Sequence, residues 1–190
     1  MPDNRTHILN VALQLFAERG YDAVGVQDIA VASGITKPTL YHYFGSKRGL
    51  VDAVIVEKSA SLVSDLAQAT VYQGDVVKSV TDVVRVFFAF AQARPAFYRL
   101  MLSMWFAPPA SEYYPAISDL LFRLQTSVEA MFLQASLQHG NMRGRHARYA
   151  VTLRGIIDTY VGLALRETIR LDDEQLIYRI VHEFLHGIFS

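Results

Sequence analysis

Apolar residues in this chain recur at intervals of three and four, and strand-like alternation is sustained nowhere, so the fold must be built from helices. The first stripe, Ile8, Val11, Ala12, Leu15 and Phe16, predicts a helix from about Asn4 to Arg19, stopped by Gly20. A short helix follows over Val26 to Ser33, with Gly34 as its stop. Thr36 is placed to cap a third, Lys37 to Phe44, whose Pro38 sits in the first turn, where a missing N–H costs nothing. Ser46 caps a longer helix from Lys47 towards Ala69. Five more are expected: Gly74-Asp75 to Ala93, Ala96 to Phe106 before Pro108-Pro109, Ser111 to His139, His146 to Arg170, and Asp173 to Phe189. The expected fold class is therefore all-α, with about nine helices.

Three short helices with a glycine-containing turn between the second and third have the layout of a helix-turn-helix. In such a unit the second helix braces the third, whose N-terminal half enters the major groove of duplex DNA. The brace must be apolar inside, which Ile29, Ala30 and Leu40 satisfy; the small Ala30 and Gly34 would let the helices approach closely. The outer side must be polar and of medium size, as Thr36, Lys37, Thr39, Tyr41 and His42 are. Charge bears on this reading. The 18 basic residues are balanced by 18 acidic ones, so any DNA-binding surface must be local. Between Asp28 and Asp52 there is no acidic residue, while Lys37, Lys47 and Arg48 lie there.

The run from Asp28 to Lys47, DIAVASGITKPTLYHYFGSK, resembles the TetR family of bacterial regulators, and the likeness extends over Ile8 to Leu50. The remainder is similar to that family only in length and helical pattern. The resemblance implies that Thr36, Lys37, Thr39, Tyr41 and His42 touch phosphates and base edges, with Gln27 near the second helix in reach of either. It implies that Lys47 meets a phosphate, aided by the positive end of its helix. Tyr43 and Phe44 are expected to pack the module. Where relatives place Ser or Thr before the second helix, this chain has Gly25, an acceptable cap that forfeits a side-chain phosphate contact. The implied organisation is a helix-turn-helix DNA-binding domain over 4–64, including the start of a hinge helix, and a helical effector-binding and dimerisation domain over 65–190. The implied function is a repressor released from an inverted-repeat operator by a small, mainly apolar or aromatic effector.

From Phe87 to Phe132 the chain is dense in aromatic and Met side chains. Phe97, Tyr98, Met101, Met104, Trp105 and Phe122 either line an effector pocket or simply fill the core. Arg154 and Asp158 could orient an effector, but lie four apart, as an internal ion pair does. For the last two helices, Gly155, Thr159 and Gly162 fall on one side of the eighth, and Ile177, Ile180, Val181 and Phe184 form a stripe on the ninth. Both stripes either pair with a second copy in a homodimer, as reading two half-sites requires, or face their own subunit's core.

A rival reading comes from His182-Glu183-Phe184-Leu185-His186, which spells H-E-x-x-H, two imidazoles on one helix face with a Glu beside them, as in zinc hydrolases. A catalytic zinc needs a third protein ligand, usually downstream, and only four residues follow. The motif is read as a chance match, and neither enzyme activity, cofactor nor metal is expected. The chain has no Cys and no apolar run of bilayer length, and Met1-Pro2-Asp3-Asn4-Arg5 lacks the layout of a secretion signal. A cytoplasmic location without membrane attachment is the expectation.

Overall fold

The computed structural model describes residues 4–186. Among them the regular elements are α1 (Asn4–Arg19), α2 (Val26–Ala32), α3 (Lys37–Phe44), α4 (Lys47–Ala69), α5 (Val76–Ala93), α6 (Pro95–Trp105), α7 (Tyr114–Gln138), α8 (His146–Ala164) and α9 (Glu174–His186), with a 3-10 turn at Gly140–Met142. The all-α fold is the one that the periodicity predicts. No helix among the described residues is long and apolar enough to cross a membrane.

The helix ends show which stop signals a sequence displays. α2 ends in a Schellman turn: the Ile35 N–H donates to the Ala30 carbonyl at 3.0 Å and that of Gly34 to Val31 at 3.1 Å. Gly34 sits there at φ +67°, a conformation that costs an L side chain strain. A Cβ at Gly34 would meet nothing within 4 Å, so its role is backbone conformation, which corrects the expectation of close helix approach. α8 ends in the same turn, with Thr168 donating to Leu163 at 3.1 Å and Glu167 to Ala164 at 2.9 Å. Here the left-handed position is filled by Glu167 at φ +59°, so α8 stops at Ala164, well before the expected Arg170, with no glycine to announce it. α7 begins at Tyr114, not Ser111, because residues 111–113 form a turn in which Ser111 donates to Pro108 and Tyr114 to Ser111. The predicted extension of α9 to Phe189 lies outside the described residues.

The described residues form two compact units. One holds the described residues up to Ala60 together with Ala96–Leu120; the other holds Ser61–Pro95 and the described residues from Leu121 onward. In the first unit α1 buries Ile8, Leu9, Ala12, Leu13, Leu15 and Phe16, and α2 packs against both α1 and α3.

In the second unit α5 packs on α8 and α9. Val80, Val83, Val84 and Phe87 of α5 are fully buried, and Ile177, Ile180 and Val181 of α9 are 2–4% exposed. Phe184 lies against Phe132 and Tyr149 of its own subunit, ring centroids 5.9 and 6.5 Å away. Of the α9 residues expected at a dimer face, Ile177, Ile180 and Val181 are thus covered within the subunit and Phe184 is half-buried. This stripe is spent on the subunit's own core, since each such side chain gains about 1.5–3 kcal/mol from burial there. Gly155 and Thr159 of α8 remain exposed and Gly162 half-buried.

Candidate nucleic-acid interface

α3 is held by a small number of local devices. Ile29, Ala30 and Leu40 are no more than 1% exposed and form the brace between α2 and α3. Thr36 caps α3: its Oγ1 accepts from the Thr39 N–H at 3.4 Å and lies 2.9 Å from the Thr39 hydroxyl. At the start of α2, Gly25 offers no side chain, and the Asp28 carboxylate reaches back to accept from its N–H at 2.8 Å. Tyr43 and Phe44 are half-buried, with the Arg5 guanidinium 5.4 Å from the Phe44 ring, so they pack the module.

This scaffold leaves Gln27, Thr36, Lys37, Tyr41 and His42 exposed on α2, α3 and the cap between them, and Thr39 half-buried beside them. The sequence stretch without acids therefore leaves exposed polar side chains on α3 and its cap. Its cationic content is smaller than the sequence suggests. Arg48 donates from Nε to both Asp52 carboxylate oxygens, at 2.7 and 2.8 Å, and is neutralised. Lys37 makes no ion pair among the described residues.

Lys47 opens α4 behind the Ser46 cap, whose Oγ accepts from the Gly49 N–H at 2.9 Å. Its ammonium lies 4.0 Å from the centroid of the Tyr21 ring. Tyr21, in the α1–α2 connection, is 4% exposed; its ring packs on Phe16 at 5.3 Å and on Tyr113 at 4.7 Å. Its hydroxyl donates to Glu112 in the turn before α7. Burial first, and then the Glu112 carboxylate, push the Tyr21 phenol well above its ordinary ionisation range. Tyr21, Glu112 and Tyr113 were not legible as site residues, because nothing in a sequence pairs positions some ninety residues apart. Gly49 also escaped notice. A Cβ there would lie 2.1 Å from the Phe44 carbonyl oxygen, so the α3–α4 corner is closed around its hydrogen. A glycine in the first turn of a long helix, where propensity disfavours it, was the available signal.

The other predicted residues are dispersed. Phe97, Tyr98, Met101 and Met104 are at most 2% exposed, and none of them lines any of the three cavities described in the second unit. Trp105 is 38% and Phe122 70% exposed, so neither is enclosed in a pocket of this chain. Arg154 is buried, donates to Asp158 at 3.2 Å and lies 4.2 Å from the Phe87 ring centroid, the internal ion pair that the spacing suggested. A cavity of about 260 Å³ is instead walled by Phe132, Tyr149 and Phe184, with His139 and His186 at its edge. His182 and His186 stack at 4.6 Å on the exposed side of α9, beside Tyr178. Among the described residues no third His, Cys, Asp or Glu joins them in a metal-holding group.

Residues 8–54 match the family model for bacterial regulatory proteins of the tetR family. The chain is 35% identical over 99 residues to the HTH-type transcriptional activator FasR of Mycolicibacterium smegmatis, which covers 52% of this chain and 45% of that protein. It is 51% identical over 51 residues to the HTH-type transcriptional repressor KstR2 of Rhodococcus jostii, covering 27% of this chain and 25% of that protein. The chain thus spans less than half the length of either curated relative. In fold it is similar to the Bacillus subtilis transcriptional regulator FadR, solved in complex with stearoyl-CoA. The TM-score is 0.79 at 18% identity, over 96% of this chain and 98% of that one.

Proposed function

We propose, from the match of residues 8–54 to the family model for bacterial regulatory proteins of the tetR family, that the chain is a TetR-family sequence-specific DNA-binding transcriptional repressor released by a small apolar effector. The observation that carries the reading is the row Thr36, Lys37, Thr39, Tyr41 and His42, presented outward on a helix whose inner side is locked by Ile29, Ala30 and Leu40. Thr39, Tyr41 and His42 read base edges; Gln27, Thr36, Lys37 and Lys47 hold phosphates, with the N–H groups at the starts of α3 and α4. Reading an inverted repeat needs two heads about one helical turn apart, hence a homodimer. The exposed α8 face with Gly155, Thr159 and Gly162 is the proposed seam. A Cβ at Gly155 or Gly162 would meet nothing within 4 Å in the chain itself, so its own packing does not call for glycine there.

The two curated relatives are named one as an activator and one as a repressor. Repression is proposed because a dimer on two half-sites excludes other proteins from that stretch of duplex. The effector is proposed to be mainly apolar or aromatic. The Bacillus subtilis structure carries stearoyl-CoA, and the cavity of about 260 Å³ walled by Phe132, Tyr149 and Phe184 offers this chain ring surfaces for a much smaller apolar molecule. The effector must bind the DNA-released form more tightly than the DNA-bound one.

Selection of bound duplexes from a random pool tests the central claim. Enrichment of a palindromic site is expected; recovery of no preferred sequence at moderate salt would refute it. Adding fatty acids or acyl-CoA thioesters to the resulting complex then tests release, and an unchanged complex across that panel would remove the apolar-effector reading.

A further inference from the structure

We infer that Tyr21 and Glu112 are positioning residues for Lys47, so that the turn before α7 sets the ammonium through which the reading head grips the DNA backbone. This rests on the proposed role of Lys47 as a phosphate contact. Lys47 stands at the first position of α4, its ammonium 4.0 Å from the Tyr21 ring centroid, with no carboxylate in ion-pair range among the described residues. A lysine side chain is otherwise among the most costly to order, carrying about 2 kcal/mol of rotamer entropy. The ring removes part of that freedom in advance, because a cation is attracted to an aromatic face.

Tyr21 can serve as a seat only because it cannot move. Phe16 of α1 packs on it from one side and Tyr113 from another, and its hydroxyl donates to Glu112. Glu112 also acts electrically. A carboxylate accepting from a phenol pushes electron density into the ring and strengthens its attraction for the ammonium on its face. The chain of contacts therefore runs Glu112, Tyr21, Lys47, joining a turn that belongs to residues 96–120 with the first residue of α4 inside one compact unit. A displacement of residues 111–113 must move Tyr21, and with it the place where Lys47 waits.

A double-mutant cycle on operator affinity tests this, using the full-length protein and a duplex enriched from the random pool, titrated at several salt concentrations. Lys47→Ala first fixes the value of the phosphate contact, expected to reduce the salt slope by about 1. Glu112→Gln and Tyr21→Phe, which keep the side-chain shapes, should each weaken operator binding about 3- to 10-fold, the scale of a partly lost cation–ring contact. In the Lys47→Ala background the same two substitutions should cost nothing further. Thermal melts of each variant establish that the fold is retained. Losses of equal size in both backgrounds would show a general structural role and overturn the inference. So would unchanged affinity in Glu112→Gln and Tyr21→Phe while Lys47→Ala weakens binding, an outcome that leaves the DNA-binding reading standing. A wild-type protein that prefers no duplex would bring down both.

Discussion

At Gly49 a single hydrogen atom separates two helices. The position faces the Phe44 carbonyl oxygen so closely that a methyl group would sit 2.1 Å from it, and the obstacle is backbone, which cannot rotate aside. Gly49→Ala should therefore tilt the start of α4 away from α3 and destabilise the first unit by about 1–3 kcal/mol, the usual cost of overpacking. Helix propensity alone would have raised stability by up to about 1 kcal/mol. A urea melt decides between them: a higher midpoint for Gly49→Ala would mean that the corner is loose. Tyr21 makes a second prediction at this scale. The fold keeps its phenol protonated past the ordinary value of 10.0, while the unfolded chain ionises it there. Stability should consequently fall as pH rises above that value, because the unfolded state binds fewer protons than the folded one. Tyr21→Phe should lack this share of the alkaline loss, as seen in urea midpoints compared between neutral and alkaline pH; identical pH profiles would contradict it.

Helix by helix, the stop signals explain where reading the sequence succeeds. α2 and α8 end in the same hydrogen-bonded turn, but one places Gly34 in the left-handed position and the other Glu167. Only the first is visible as a letter. α9 shows the same division for burial. Its stripe of Ile177, Ile180, Val181 and Phe184 announces that something covers it; α5 packs on α9, and Phe132 and Tyr149 meet Phe184. Two substitutions separate core from seam. Ile177→Ala should lower the melting point at every protein concentration, by about 2–5 kcal/mol of stability. Gly155→Leu should leave the subunit folded, since the site is open in the chain, and reduce self-association in sedimentation. A dimer that survives Gly155→Leu unchanged would move the proposed seam elsewhere.

For the molecule as a whole, zero formal charge and an internally paired Arg48 restrict how DNA can be held. Of the three cations between Asp28 and Asp52, Lys37 and Lys47 make no ion pair among the described residues. A dimer neutralising about four phosphates would show a salt slope of about −3.6 in log affinity against log salt. Operator titrations between low and physiological salt measure it, and a slope steeper than about −7 would require basic groups outside the proposed interface. Modest non-specific affinity is the expected outcome, and under the proposed reading Thr39, Tyr41 and His42 at base edges supply the discrimination.

The sequence by itself determined the helices, because apolar spacing and capping residues act within a few positions of one another, and it determined the layout of α1 to α3, because a braced helix pair needs a fixed order of small, apolar and polar residues. Tertiary structure alone decided which surface each apolar stripe would meet, that Phe97, Tyr98, Met101 and Met104 fill a core, and that Lys47 rests on a ring held by Glu112. The reason is one of range. Hydrogen bonds and periodicity are local and leave a local trace in the chain, whereas packing partners are chosen by shape between segments that lie far apart along it.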